Sequence, residues 1–323
     1  MAASAALTAK DFKSDVHIDW CPGCGDFAII NALHMALAEI GVPNHRVAFI
    51  TGIGCSGKTS HYAKAYGAHT IHGRLLPYAA GVKLANPDLT VLCAGGDGDG
   101  LGIGAGHFVN AGRRNVDFNY LFFNNGVYGL TKGQASPTLR LGEKPKSLPT
   151  PNINEGVNPI WLAVASGFSW VGRAYSFDVK HLKDMIVKSI RHKGSAFLDI
   201  LQPCPTYNDI NTKDWYGAKD VEDASKVKGN RIYKLDDIKH DPVVHQPDEQ
   251  QKKMLRAIEL GAQWGERIPI GVFYENPLVP TFGERIEQRN PLYTKDPPAT
   301  QVVADAEGAS NIDFEQVTKR LRV

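Results

Sequence analysis

Hydrophobic residues recur along the chain with the spacing of both helices and strands. In residues 26–40 (DFAIINALHMALAEI) the apolar side chains fall at helical spacing, and Gly41 and Pro43 then predict the end of a helix. Short apolar runs predict buried strands at residues 46–51, 89–94, 118–123 and 196–201, with extended chain at 169–173. Helical patterns lie between them at residues 103–113, 159–167 and 178–192. This alternation predicts an α/β fold with a doubly wound, mainly parallel sheet.

From about residue 215 the pattern changes to charged and proline-rich sequence. One further helix is predicted at residues 247–264, and turn-rich stretches such as NPLVP and KDPPA follow it. We therefore expect a main domain at residues 1–214 and a C-terminal extension, or arm, at residues 215–323 that packs on a partner subunit. A disordered tail beyond residue 294 is the open alternative.

Charge and composition limit the classes of protein to which the chain can belong. The 323 residues include 36 Lys+Arg and 34 Asp+Glu, a formal charge of +2, without a long run of like charges, so we expect no binding to nucleic acid. No apolar run approaches the ~18 residues that span a bilayer, and residues 1–12 lack a signal-peptide pattern. We expect a cytoplasmic protein without membrane contact. Five cysteines, an odd number, favour metal or redox chemistry over a disulfide framework.

Four of the five cysteines are predicted to meet at one centre. Cys21 and Cys24 form a CxxC pair in the tight turn CPGCG, so both thiols can reach one metal centre. Cys55 and Cys204 each follow a predicted strand directly, and the loops that follow parallel strands share one edge of a sheet. Four thiolates complete the ligand shell of an iron–sulfur cluster. Cys93 lies inside the apolar run TVLCAG and is expected to be a buried core residue.

A glycine-rich acidic loop follows the predicted strand at residues 89–94. It reads GGDGDG at residues 95–100, and Asn125 follows the next strand in the run FFNNGVYG. Carboxylate and amide oxygens suit Mg²⁺, which often bridges to phosphates, and the glycines let backbone N–H groups approach a diphosphate. Both loops are expected at the same edge of the sheet. We predict a magnesium–diphosphate site there that includes Asp97 and Asn125. Phe108 stands where an EF-hand would need glutamate, which excludes that kind of calcium site.

Other interpretations of these motifs stay open. Residues Gly52–Thr59 match G-x-x-x-x-G-K-[ST] letter for letter and follow a strand, which favours a P-loop NTPase or a nucleotide-dependent metal carrier. Against it, the expected helix after the loop is interrupted at Gly67, and a cysteine inside the loop has no role in an NTPase. The CxxC pair alone also fits structural zinc or a redox pair, and hence a non-catalytic zinc or cluster scaffold, although zinc ribbons usually carry a second CxxC.

Taken together, the motifs resemble those of a known family. The spacing from GDG to NN resembles the thiamine-diphosphate binding motif. The segments CPGCGDF, GIGCSGK, HTIHGR, GGDGDGLGIG, FNNGVYGLTKGQASPT and QPCP, in this order from residue 20 to about residue 208, resemble the β-subunit of the 2-oxoacid:ferredoxin oxidoreductases, of 2-oxoglutarate or pyruvate type. The resemblance implies a thiamine-diphosphate-binding fold that carries thiamine diphosphate, Mg²⁺ and a [4Fe–4S] cluster.

The resemblance also implies the residues of each site. The cluster would be held by Cys21, Cys24, Cys55 and Cys204, and Mg²⁺ by Asp97, Asn125 and the backbone carbonyl of Val127. The cofactor-binding residues would be Cys55, Gly96, Asp97, Gly98, Asp99, Asn125, Val127, Tyr128, Gly129, Leu130 and Thr131. Lys58 would point into the substrate pocket, and His72 and Arg74 would contact the diphosphate or the substrate, with His69 as a weaker candidate. Asp99 would shape its loop.

The implied reaction is the coenzyme-A-dependent oxidative decarboxylation of a 2-oxo acid to acyl-CoA and CO₂. Electrons would pass through the cluster to ferredoxin, in a direction that stays open, and 2-oxoglutarate is favoured over pyruvate. Thiamine enzymes need a carboxylate at the aminopyrimidine, yet Glu39 lies in a predicted helix, and Glu143 and Glu155 lie in a proline-rich loop. In the family this glutamate comes from the α-subunit. We therefore expect an α-subunit partner, an (αβ)₂ or larger assembly, and no activity of this chain alone.

Overall fold

The fold contains twelve strands and ten α-helices within residues 6–223 and 225–321, which the computed structural model describes. The strands are β1 (Val47–Thr51), β2 (Tyr66–His69), β3 (Thr90–Gly96), β4 (Phe118–Asn124), β5 (Val127–Tyr128), β6 (Gln134–Ala135), β7 (Trp170–Tyr175), β8 (Ser195–Leu201), β9 (Val221–Glu222), β10 (Lys228–Gly229), β11 (Ile232–Lys234) and β12 (Ile268–Glu275). The α-helices are α1 (Asp26–Ile40), α2 (Thr59–Tyr62), α3 (Leu75–Ala85), α4 (Ala105–Arg114), α5 (Pro159–Ser166), α6 (Val179–Arg191), α7 (Lys213–Tyr216), α8 (Gln250–Gly261), α9 (Phe282–Glu287) and α10 (Phe314–Leu321).

Eight of these strands form one sheet in the order β11-β12-β7-β8-β4-β3-β1-β2. Every neighbouring pair is parallel except β12 and β7, which run antiparallel. The central strands β4 and β8 are buried along their whole length. Continuous apolar strands of this kind are typical of a parallel sheet that helices cover on both faces.

The helices form two layers, one on each face of the sheet. In the first layer Leu33 of α1 and Ile186 of α6 share a core with Phe49 of β1. In the second layer Phe108 of α4 and Leu260 of α8 lie in the core that surrounds the other face. The predicted fold class, a doubly wound and mainly parallel α/β sheet, is therefore confirmed. None of the described helices is long and apolar enough to cross a membrane.

The predicted elements recur with small shifts at their ends. The helix predicted at residues 26–40 is α1 with the same bounds, and the strand predicted at residues 118–123 is β4 with one further residue. Strand β2 and helix α3 were not predicted. All four residues of β2 are exposed, so this edge strand shows no apolar run, and α3 contains Pro77 and Gly81, which weaken a helical pattern.

The C-terminal part contributes to the main sheet, which the sequence did not predict. Strands β11 and β12 extend the sheet beyond β7, and α8 packs against α5. The run IPIGVFYE of β12 is as apolar as the other buried strands, but its charged and proline-rich surroundings concealed it. Further on, Tyr293 donates a hydrogen bond to the carbonyl of Leu84 and Ala299 to that of Ala85, so this segment contacts the end of α3. The boundary at residue 215 and the packing on a partner stay predictions.

Replacing Phe197 by alanine is expected to lower the free energy of unfolding by about 3–5 kcal/mol, because it opens a cavity in the middle of the sheet. Its ring lies 5.2 Å from that of Phe108, 5.3 Å from that of Phe122 and 5.7 Å from that of Phe168. Chemical denaturation measures the loss. Phe314→Ala is the matched control, since that ring is exposed, and it should change stability by no more than about 0.5 kcal/mol. Equal effects of the two substitutions would contradict this account of the core.

Candidate functional site

The candidate site lies at the carboxyl edge of the parallel strands. The loop after β1 carries Cys55, the loop after β3 carries Asp97 and Asp99, the turn after β4 carries Asn125, and the segment after β8 carries Cys204. Because these four strands are parallel and adjacent in space, their following loops meet at one edge. The structure thus brings together the two groups of motifs that the sequence separates.

Asp97 is a fully buried carboxylate that holds several loops together. Its Oδ2 accepts hydrogen bonds from the N–H of Gly126 at 2.8 Å, from the hydroxyl of Ser136 at 2.6 Å and from the hydroxyl of Thr138. Its Oδ1 accepts the N–H of Gly98, at 3.0 Å, as its one hydrogen bond within the described residues. Burial raises the pKa of Asp97, and the hydrogen bonds to the carboxylate oppose this rise. Ser136 and Thr138 were not foreseen, because their role depends on the β5–β6 hairpin that folds back over the loop.

Asn125 is held in the turn that contacts Asp97. Its Oδ1 accepts the N–H of Val127 at 3.0 Å and its Nδ2 donates to Gln202 at 2.8 Å, which fixes the orientation of the amide. The next residue, Gly126, has φ +77°, a conformation that favours glycine, and through it the turn presents its N–H to Asp97. The acidic loop and the NN turn are therefore joined directly, as the sequence predicted.

Asp99 connects three separate loops. Its Oδ1 accepts the N–H of Ile53 at 3.0 Å and the N–H of Gly73 at 2.8 Å, and it lies 2.9 Å from Nδ1 of His72 without the alignment of a hydrogen bond. A side chain at Gly52 would place its Cβ 2.0 Å from Oδ2 of Asp99, so this close approach requires glycine. These contacts fit the predicted role of Asp99 in shaping its loop.

A cavity of about 130 Å³, called here the glycine-rich cavity, opens between these loops. All of the predicted cofactor-binding residues line it, as does His72. Sequence reasoning missed Ile53, Gly54 and Ser56 as lining residues, although they stand in the same glycine-rich turn as Cys55. A Cβ at Gly98 would come within 2.3 Å of the ring of Tyr128, so the cavity keeps its width only with glycine there.

A second cavity of about 160 Å³, called here the thiol cavity, is lined by Cys21, Cys24, Cys55 and Cys204. The cysteines that the sequence grouped together are thus neighbours, whereas Cys93 is fully buried in β3, as predicted. Within the described residues, no group of three or more Cys, His, Asp or Glu side chains is gathered closely enough to hold a single metal ion.

Burial changes the acidity of these thiols. It raises the pKa of Cys55 to about 12 and raises the pKa of Cys24 and Cys204 as well, with a further contribution from the carboxylate of Asp26. Both carboxylate oxygens of Asp26 are buried without a hydrogen-bond partner in the described structure. Because thiolates are the form that binds metal, positive charge in the cavity would be needed to ionise these groups.

The two cavities share a wall. Cys55, Asn125, Gly129 and Leu130 line both of them. A Cβ at Gly129 would lie 3.5 Å from Sγ of Cys55 and 3.9 Å from Sγ of Cys204, which shows how thin this wall is. A group in the glycine-rich cavity and a group in the thiol cavity would therefore be near neighbours.

The three predicted catalytic residues lie in different places. Nζ of Lys58 lies 3.0 and 2.9 Å from the two carboxylate oxygens of Asp19, and this ion pair raises the pKa of Lys58. Lys58 lines the thiol cavity and not the glycine-rich cavity. His72 lines the glycine-rich cavity, whereas Arg74 precedes α3 and lines neither. Asp19 was not foreseen, since nothing in its local sequence indicates a partner 39 positions away.

The segment Gly52–Thr59 lacks the long helix that follows a P-loop. A short 3₁₀ turn, Ser56–Lys58, leads into α2, which has four residues. His69, the weaker candidate, contacts His61 with 3.1 Å between ring nitrogens and does not line either cavity. This segment therefore lines the two cavities, and Cys55 lines both of them.

Asp99→Ala is expected to lower the free energy of unfolding by about 2–5 kcal/mol, because it leaves the N–H groups of Ile53 and Gly73 without their acceptor. Asp99→Asn keeps one oxygen at this position and should cost clearly less. Chemical denaturation of both variants checks this. An alanine variant as stable as the unchanged protein would show that Asp99 does not hold these loops.

Comparison with known proteins identifies relatives over nearly the whole chain. The family described as thiamine pyrophosphate enzyme, C-terminal TPP binding domain, matches residues 44–200, and a family that describes the C-terminal part of the pyruvate ferredoxin oxidoreductase β-subunit matches residues 204–290. The 2-oxoacid:ferredoxin oxidoreductase subunit beta of Saccharolobus solfataricus is 54% identical over 308 residues, which cover 94% of this chain and 97% of the relative. The 2-oxoglutarate oxidoreductase subunit KorB of Mycobacterium tuberculosis is 44% identical over 200 residues, 62% of this chain and 54% of the relative.

A solved structure matches the whole fold. It is the 2-oxoglutarate:ferredoxin oxidoreductase from Magnetococcus marinus, described with 2-oxoglutarate, coenzyme A and succinyl-CoA bound. The TM-score is 0.79 at 32% sequence identity, and the match covers 98% of this chain and 97% of the other. The likeness thus includes the C-terminal strands that complete the sheet.

Proposed function

Since the chain belongs to the β-subunits of the thiamine-diphosphate-dependent 2-oxoacid:ferredoxin oxidoreductases, we propose that it takes part in the coenzyme-A-dependent oxidative decarboxylation of 2-oxoglutarate to acyl-CoA and CO₂. The KorB relative and the Magnetococcus marinus protein are both named for 2-oxoglutarate, which supports this choice. Pyruvate is the second candidate, because the family matched by residues 204–290 is named for it.

The observation that carries the proposal is the wall shared by the two cavities. Thiamine diphosphate would be held in the glycine-rich cavity, where it would supply an electron sink for decarboxylation, and a [4Fe–4S] cluster would be held in the thiol cavity, where it would supply one-electron redox chemistry. Neighbouring cavities of this kind suit an enzyme that must pass electrons from an organic cofactor to an inorganic one. Neither a nucleotide switch nor a zinc scaffold needs a second cavity across a shared wall.

The donor set of the glycine-rich cavity fits Mg²⁺ and a diphosphate. Asp97 and Asn125 offer hard oxygen atoms, and Val127 offers a backbone carbonyl in the same turn. Oδ1 of Asp97 accepts one hydrogen bond from the described residues, so it keeps capacity for a cation, whereas Oδ2 is occupied by three donors. Asp97 would therefore hold the cation through Oδ1, and the cation would lower the cost of burying the carboxylate.

The donor set of the thiol cavity fits a [4Fe–4S] cluster. Its four cysteines line a space of about 160 Å³, and four thiolates are the ligand shell of such a cluster. The positive charge of the iron atoms would let the buried thiols ionise despite their raised pKa. Cys21 is exposed, so a cluster held by this residue would be close to the surface, where ferredoxin could accept its electrons.

The side chains around the cavities would bind and orient the cofactor or the substrate. Asp99 contacts Nδ1 of His72, so Nε2 is the ring nitrogen that faces the diphosphate or the substrate. Lys58 is held by Asp19 beside the thiol cavity, and there it stabilises negative charge on the cluster side of the wall. A direct role of Lys58 with the substrate requires that its ion pair with Asp19 opens. Arg74 reaches neither cavity in this conformation and acts only if the loop before α3 moves.

The glycine-rich cavity requires a partner to complete it. Among the described residues that line it, the carboxylates are Asp97 and Asp99, which accept hydrogen bonds from backbone or hydroxyl donors, whereas Glu39, Glu143 and Glu155 lie elsewhere. Two of its lining residues are large apolar side chains that are exposed and form an apolar rim: Ile53 is 36% exposed and Leu130 is 49% exposed. We assign this rim to the α-subunit, which supplies the missing carboxylate.

The substrate and the partner are tested together. The chain alone is expected to show no decarboxylation, because the glycine-rich cavity lacks the activating carboxylate. After reconstitution with its α-subunit, anaerobic reduction of ferredoxin should proceed with coenzyme A and 2-oxoglutarate, and more slowly with pyruvate. Turnover by the chain alone would refute the need for a partner, and a preference for pyruvate would refute the choice of substrate.

Cys204→Ala is expected to abolish or strongly reduce the broad absorption near 400 nm and the iron content of anaerobically purified protein, since it removes one of four cluster ligands. Cys93→Ala is the matched control, because this cysteine is buried in β3 away from the thiol cavity. Iron analysis and electron paramagnetic resonance after reduction measure the result. Full cluster content in Cys204→Ala, or equal loss in both variants, would contradict the assignment.

A further inference from the structure

A third and larger cavity lies on the other side of the NN turn. Its volume is about 500 Å³, within the range of roughly 300–1,000 Å³ that small-molecule sites have. Asn124 and Asn125 form part of its wall, and Arg140, Arg173 and Trp264 also line it. Nothing in the proposed reaction uses this space.

Arg173 provides the first indication of a ligand. The residue is 1% exposed, and its Nε donates to Oδ2 of Asp199 at 2.7 Å, while its Nη1 has no hydrogen-bond partner in the described part of the chain. The rings of Phe273 and Trp264 face the guanidinium at 5.4 and 5.8 Å, but ring faces do not replace an oxygen acceptor. A buried donor without a partner costs free energy, and an acceptor that reached Nη1 from the cavity would remove that cost.

Arg140 places a second guanidinium at the mouth of the same cavity. Its Cζ lies 4.7 Å from the centre of the Trp264 ring, so this ring has two guanidinium groups near it. No salt bridge of Arg140 is found in the described residues. Partial burial lowers the pKa of Arg140, the carboxylate of Glu143 opposes this change, and the charge of Arg173 lowers the pKa further. An anionic group between the two guanidinium groups would relieve this repulsion.

The remaining charges indicate how much negative charge the ligand carries. Glu143 and Glu155 also line the cavity. Oε2 of Glu143 accepts a hydrogen bond from the backbone N–H of Arg140 at 3.1 Å. Two guanidinium groups and two carboxylates leave the lining nearly neutral. A polyanion would be repelled by the carboxylates, whereas a ligand with one carboxylate and one hydrogen-bond donor matches both signs of charge.

From this arrangement we propose that the cavity binds a small organic acid that carries one carboxylate and one amino or hydroxyl group. The carboxylate lies against Arg173 and Arg140, the donor group against Glu143 or Glu155, and the apolar part of the ligand against Trp264. The site is separate from the glycine-rich cavity, but it is connected to the NN turn, because Asp199 accepts a hydrogen bond from Asn124 at 3.0 Å as well as from Arg173. The proposal does not depend on the proposed reaction.

The test measures binding of named probes to the full chain by calorimetry and by ligand-observed NMR. L-Leucine, L-phenylalanine and L-lactate are compared with leucinamide, phenylalaninamide and lactamide, which lack the carboxylate. We expect saturable binding of at least one acid and about tenfold weaker binding of its carboxamide, since a hydrogen bond to a charged group is lost. Citrate and phosphate should bind more weakly than the acid.

Substitutions show whether the binding is in this cavity. Arg140→Gln should weaken binding of the acid about tenfold, and the substituted residue is exposed. Arg173→Lys keeps a positive charge beside Asp199 and should also weaken binding of the acid. Arg256→Gln, on the surface of α8 and outside the cavity, should leave the affinity unchanged. Absence of binding by every acid, equal binding of acid and carboxamide, tighter binding of citrate or phosphate, or an unchanged affinity in Arg140→Gln would each overturn the proposal.

Discussion

Two buried carboxylates hold the functional edge of this protein together. Asp97 and Asp99 stand two positions apart after β3, and between them they accept hydrogen bonds from four backbone N–H groups and two hydroxyl groups. Burying a carboxylate is costly unless such donors surround it. The loops after β1, β3 and β4 are therefore fixed relative to one another, and both cavities depend on that arrangement.

The shared wall between the cavities follows from the order of the strands. Because β1, β3, β4 and β8 are neighbours in one parallel sheet, Cys55, Asn125 and Cys204 reach the same region from three different loops. Cys55 lines both cavities, so the cysteine that would bind the cluster also contacts the space assigned to thiamine diphosphate. The proposed transfer of electrons thus needs no large movement of this chain, and the exposed apolar rim is where a partner would close the glycine-rich cavity.

Much of the site was predictable because it is encoded in short motifs, most of which directly follow strands. The CxxC turn, the GDGDG loop and the NN turn each carry their chemistry locally, and the parallel sheet then brings them together. The partners of these motifs were less predictable. Asp19, which holds Lys58, and Ser136, which holds Asp97, are common residues whose roles arise only from the folded arrangement. Strand β12 was missed for a different reason, since its apolar run is surrounded by charged and proline-rich sequence.

The most direct test of the account is a crystal structure of the assembled enzyme with thiamine diphosphate, with anomalous scattering recorded at the iron edge. We expect iron atoms inside the thiol cavity in contact with Cys21, Cys24, Cys55 and Cys204, and the diphosphate beside Asp97 and Asn125 across the shared wall. Iron located elsewhere, a single non-iron metal at the four thiols, or a diphosphate bound away from Asp97 would contradict the account.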